Sequence, residues 1–150
     1  MKEESLEVFV DGLTNYFDKT TSSLAKVSTP FLIQDINKYL SDYTGIIGIS
    51  GNHKGSVFFT APKIMIAKLI SEIGVLTTQE EKLMDLVGEI SNTISGNARR
   101  VFGDQFMLST PVVLRGKGEQ LHVPDTTSIY VIPVVWKNMS AHLIINLNQE

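Results

Sequence analysis

The sequence predicts an α+β fold in which long helices pack on a mainly antiparallel sheet. Three observations carry that expectation. Apolar residues recur at helical spacing in three segments, β-branched and aromatic runs occupy five others, and short turns join two pairs of those runs.

Leu6, Phe9, Val10, Leu13, Tyr16 and Phe17 lie on one helical face, so the first element is a core-facing helix ending near Lys19. The Thr20–Ser23 run is a loop. Thr29 to Ile36, with Phe31, Leu32 and Ile33 after Pro30, reads either as a short strand or as an irregular connection towards Tyr39 and Leu40. Thr44–Ser50 and Gly55–Thr60 are strands, and the Gly-Asn pair in Gly51-Asn52-His53-Lys54 is a hairpin signal between them. Pro62 opens a second helix whose apolar stripe is Met65, Ile66, Leu69, Ile70 and Ile73, with Gly74 closing it.

The third helix is expected from Thr78 to Phe102. Leu83, Leu86, Val87, Ile90, Ile94, Ala98 and Val101 form its apolar stripe, Thr78 and Glu81 have capping-box spacing, and Gly103 suits a left-handed stop. Three strands follow, Thr110–Arg115, Ser128–Trp136 and Ala141–Leu147, joined through Gly116-Lys117-Gly118 with its polar sequel and through a Lys137-Asn138 turn. Pro133 lacks a ladder donor, so an edge, a bulge or a shift of pairing is expected there.

Composition suits one domain spanning 1–150: 43% of the residues are hydrophobic, and neither a linker nor an internal repeat divides the chain. With no cysteine there is neither disulfide nor thiolate chemistry. A formal charge of −3 provides no basic footprint for nucleic acid. No apolar run approaches the roughly 18 residues of a membrane span, and the charged N-terminus does not look like an export leader, so a cytoplasmic protein is expected. On that reading the sequon Asn138-Met139-Ser140 is simply a turn.

The histidines, His53, His122 and His142, have no metal-ligand spacing, and the chain lacks a Gly-x-Ser-x-Gly nucleophile elbow. The glycine pairs Gly45/Gly48 and Gly48/Gly51 sit in strand or hairpin context without a phosphate-loop lysine. Met65, Met84 and Met107 read as core fillers.

The distinctive feature is the polar side of the third helix. Asp85, Gly88, Glu89, Asn92, Gly96 and Arg99 lie opposite its apolar stripe, with Glu89 and Asn92 three positions apart and therefore neighbours. Each helical glycine costs roughly 1 kcal/mol relative to alanine, which an exposed face does not offset unless another backbone comes close. These six residues are the candidate site, whereas Asn97 falls on the apolar side as a structural amide.

The run Gly88-Glu-x-x-Asn92-x-x-x-Gly96-Asn97-Ala98 resembles the signature of the CheC/CheX family of response-regulator phosphatases. The likeness extends over most of the order of elements. The other long helix carries Lys68-Leu69-Ile70-Ser71 and no second Glu-x-x-Asn, which suits the single-motif CheX branch. The resemblance implies a single CheC/CheX-like domain that hydrolyses the aspartyl phosphate of a CheY-like response regulator. In that reading Asn92 orients the attacking water and Glu89 docks on the regulator's active-site lysine, with Asp85, Gly88, Gly96 and Arg99 facing the partner. This chain would bind no cofactor, the regulator supplying Mg2+, and two copies could pair as a homodimer. The alternative is a module of the flagellar-switch type, or one that binds a regulator without hydrolysing its phosphate.

Overall fold

The computed structural model describes residues 2–116, 121–123 and 128–149. In order they form α1 (Glu3–Thr20), β1 (Lys26–Val27), β2 (Phe31–Ile33), a 3-10 turn (Ile36–Lys38), β3 (Tyr43–Gly51), β4 (His53–Ala61), α2 (Lys63–Glu72), α3 (Glu80–Phe102), β5 (Phe106–Leu108), β6 (Val112–Arg115), β7 (Ile129–Trp136) and β8 (Met139–Gln149). The eight strands make one sheet in the order β1-β7-β8-β4-β3-β5, with β2 also on β7 and β6 also on β3. Every described pairing is antiparallel.

The helices cover one face of this sheet. Phe9, Leu13 and Phe17 of α1, Met65, Ile66 and Leu69 of α2, and Val87, Ile90 and Ile94 of α3 meet Ile47, Phe59, Leu143 and Ile145 in the main core. The alternate strand residues Phe58, Val131 and Ile144 point the other way, into a smaller cluster closed by Ile36 and Leu40. Burial on both faces explains why β4 and β8 read as nearly continuous apolar runs. α3 comes close to β3 because Gly45 has no side chain: a β-carbon there would meet the Val87 carbonyl at 3.1 Å and run into the Ser91 hydroxyl.

Several expectations need correction. The Thr29–Ile36 ambiguity resolves into β2 and the 3-10 turn, where Asp35 accepts a hydrogen bond from the Asn37 N–H. β1 and β5 are too short to carry a periodic signal. α3 begins at Glu80, without a Thr78 cap; the Thr77 hydroxyl instead accepts from the Gln79 N–H. Val101 is 63% exposed, and Phe102 turns inward in its place to pack on Phe9 and Phe106, because it continues the i+4 row from Ala98. Ile73, at the end of α2, and Met107, on the outer strand β5, are also largely exposed, at 40% and 46%. Lys117 and Gly118 of the expected connection lie outside the described residues.

Pro133 keeps its register on β8, opposite His142. The interruption falls on its other side. Its carbonyl accepts from the Ser28 N–H at 2.9 Å, so the missing donor faces the edge, and there the pairing breaks into β1 and β2 with a one-residue step in register. Lys137 and Asn138, with φ of 49° and 63°, make the tight turn between β7 and β8.

Candidate functional site

α3 is pinned at both ends. At its start the Tyr43 hydroxyl donates to Glu80 at 3.0 Å and Arg115 pairs with the same carboxylate at 3.0 Å, tying the helix to β3 and β6. Both contacts, the tyrosine first, hold the Glu80 carboxyl below its ordinary pKa. At the other end Phe102 packs against the rings of His53 (5.0 Å) and Phe106 (4.9 Å). His53 is buried there, with Nδ1 2.8 Å from Asn52 Oδ1, and burial lowers its pKa. His142 packs on Tyr39, and among the described residues no three His, Asp or Glu side chains converge to hold a metal.

Between those anchors Asp85, Glu89, Asn92 and Arg99 are exposed. None of their side chains has a hydrogen bond or ion pair among the described residues, so the Asn92 carboxamide and the Glu89 carboxylate are both available to a second molecule. Gly88 departs from the expected partner-facing role because it is buried. A β-carbon at Gly88 would sit 3.2 Å from Val113 Cγ2 and 3.8 Å from Pro111, so this glycine serves the packing of α3 on β6. Ser91 and Ser95 are buried as well, which makes the inward arc of α3 wider than its apolar stripe suggests. Gly96 is different: it is half-buried, and a β-carbon there would meet nothing within 4 Å.

Glu89 and Asn92 look into different grooves. Asn92, Gly96 and Arg99 form one wall of a groove of about 690 Å³ whose other wall is Ser109, Thr110 and Pro111. Glu89, Thr93 and Asn97 border a second, of about 330 Å³, against Gly12 and Tyr16 of α1. Burial, and then the Glu89 charge, push the Tyr16 hydroxyl up to about 12. Arg100 reaches both grooves.

The far wall of the first groove is a break in strand pairing. Ser109 donates its N–H to the Gly48 carbonyl at 2.9 Å and accepts from the Gly48 N–H through Oγ at 2.8 Å. Beyond it the register on β3 steps by one residue between β5 and β6. Residues 109–111 were missed as site residues, and so were Arg100 and Tyr16. Only the Ser-Thr-Pro run hinted at the first, since proline interrupts a ladder; nothing local says that it faces α3.

A family model described as chemotaxis phosphatase CheX matches residues 43–135. Comparison with curated protein sequences gives no match. Among solved structures, a CheC-like superfamily protein from Shewanella sp. PV-4 is similar at TM-score 0.87 and 26% identity, with 99% of each chain covered. The chemotaxis protein CheX from Vibrio vulnificus is similar at TM-score 0.84 and 27% identity, over 97% of this chain and 99% of that one. A chain of the CheX–CheY–BeF3–Mg complex from Borrelia burgdorferi shares the fold at TM-score 0.75 and 16% identity, over 97% and 98%.

Proposed function

The chain belongs to the CheX family of chemotaxis phosphatases, and from that premise we propose that it hydrolyses the aspartyl phosphate of a CheY-like response regulator. One observation carries the reading: Asn92 projects an uncommitted carboxamide from a helix held at both ends, beside a groove open to a second protein. A CheX and a CheY stand together in the B. burgdorferi complex, which supports the choice of partner.

An acyl phosphate is already reactive towards water, so what remains to be supplied is alignment and charge stabilisation. The Asn92 carboxamide oxygen accepts a hydrogen bond from the attacking water and holds it in line with phosphorus. The water oxygen bonds to phosphorus, the bond from phosphorus to the acyl oxygen breaks with its electron pair going to the aspartate, and the water proton leaves to bulk or to phosphate. Glu89, whose negative charge would be repelled at the phosphoryl group, pairs instead with a cationic side chain of the regulator, its active-site lysine by family resemblance. Asp85, one turn before Glu89, faces the same partner, while Arg99 lies beside Asn92 in the first groove. On this reading the regulator brings the Mg2+, and the chain works in the cytoplasm beside it.

The test is loss of acyl phosphate from candidate phosphorylated regulators. Asn92→Ala should slow turnover by about 100-fold, the scale of losing a well-aligned reactant, with affinity for the regulator nearly kept. Glu89→Ala should weaken the complex as well. Wild-type turnover in both variants would overturn the assignment, and binding without any turnover in the wild type would make the chain a regulator-binding module. The same reading includes a homodimer, supported by the exposed Phe31 and Leu32 (40% and 61%) on the outermost strand β2. Sedimentation showing a monomer at every concentration would remove it.

A further inference from the structure

Glycine is the weakest helix former after proline, and Gly96 stands near the end of the motif helix where, among the described residues, nothing comes within 4 Å of the position a β-carbon would take. It lies one turn beyond Asn92, and the groove begins where its side chain would have been. The opposite wall is a fixed break in the edge: Ser109 is committed to Gly48, and Pro111 packs towards Gly88. The groove is thus bounded on the far side by a fixed segment and, between Asn92 and Arg99 on α3, by the bare backbone of Gly96. Its charge is also distinctive. Arg99 and Arg100 outnumber Asp104 along it, in a chain whose formal charge is −3, and neither arginine has an ion pair among the described residues.

We propose that this groove receives an acidic main-chain segment of the phosphorylated regulator, the stretch bordering its phosphoryl aspartate, with Gly96 setting how closely that backbone approaches α3 and Arg99 pairing with its carboxylate. The inference rests on the proposed reaction and adds the recognition step that would hold Asn92 at the phosphoryl group. A β-carbon at Gly96 meets nothing within 4 Å, so a substitution there is expected to act on recognition and not on folding. The Arg99 contact lies at the rim and should weaken with added salt.

The experiment measures affinity for the beryllofluoride-loaded regulator, together with the KM and kcat of dephosphorylation, for Gly96→Ala, Gly96→Leu, Arg99→Lys and Arg99→Glu, each with its melting temperature. Gly96→Leu should melt at or above the wild type, bind about tenfold more weakly and raise KM by a similar factor, with Gly96→Ala in between. Arg99→Glu should weaken binding by about tenfold, and Arg99→Lys should restore most of it. A folded Gly96→Leu, or an Arg99→Glu, that binds within about twofold of the wild type would overturn the groove assignment. If Gly96→Leu fails to fold, Arg99→Glu decides alone. Binding is read independently of turnover: a wild type that binds and never hydrolyses sinks the reaction and leaves the groove, whereas Asn92-dependent turnover unaffected by Gly96→Leu sinks the groove and leaves the reaction.

Discussion

A side chain at Gly88 would have to fit between α3 and Val113, while one at Gly96 would enter solvent, so two glycines eight residues apart on one helix make opposite predictions. Gly88→Leu should destabilise the fold by about 1–3 kcal/mol through overpacking, read as a lower denaturant midpoint. Gly96→Ala should instead stabilise the fold by up to about 1 kcal/mol, the helix propensity it restores, read as a higher midpoint. Asn92 and Glu89 differ in the same residue-specific way. Asn92 faces the groove beside the edge break, and its loss should appear in turnover. Glu89 faces α1 beside Tyr16, and its loss should appear in binding.

At the scale of the element, α3 behaves as a beam with a polar clamp at Glu80 and an aromatic one at Phe102. The histidine of the aromatic clamp titrates in acid, whereas the tyrosine of the polar clamp and that of the α1 contact titrate in base. Burial lowers the pKa of His53 and of His142, so the unfolded chain takes up protons first as pH falls through 6.5. Stability present above pH 6.5 should therefore be lost as pH drops below it. Tyr43 and Tyr16 are raised from 10.0 to about 12, Tyr43 by burial first and then by its bond to Glu80, so the unfolded chain loses these protons first in base. Stability present below pH 10 should fall between about 10 and 12. Melting temperature measured across pH checks both limbs, and His53→Phe, which keeps a ring between Phe102 and Phe106, should flatten the acid one.

For the whole molecule, the proposed active centre is divided between two proteins. No three acidic or histidine side chains converge among the described residues, and the divalent ion of the reaction is assigned to the regulator. A chelator should therefore stop phosphate release from the mixed proteins while leaving this chain's own melting temperature unchanged. Acetyl phosphate offered to the chain alone should not be hydrolysed faster than in buffer, since the carboxamide has no metal-bound phosphoryl group to face. Accelerated hydrolysis of that small substrate would place the whole reaction in this chain.

The order of the three helices and of five of the eight strands, the hairpins and the outward position of Asn92 were legible along the chain, because they follow from apolar periodicity and turn chemistry within a few residues, whereas β1, β2 and β5 are too short to carry such a signal. Even Pro133 announced its break, although the break fell on the strands beside it. What lay beyond local pattern was decided by packing. Helical spacing puts Gly88 on the polar side, but the approach of α3 to β6 buries it against Val113. The same spacing makes Glu89 and Asn92 neighbours, but α1 on one flank and residues 109–111 on the other give each its own groove. Those flanks come from segments outside the helix, and only the assembled sheet, by setting where each edge lies against the helix, brings them to the motif.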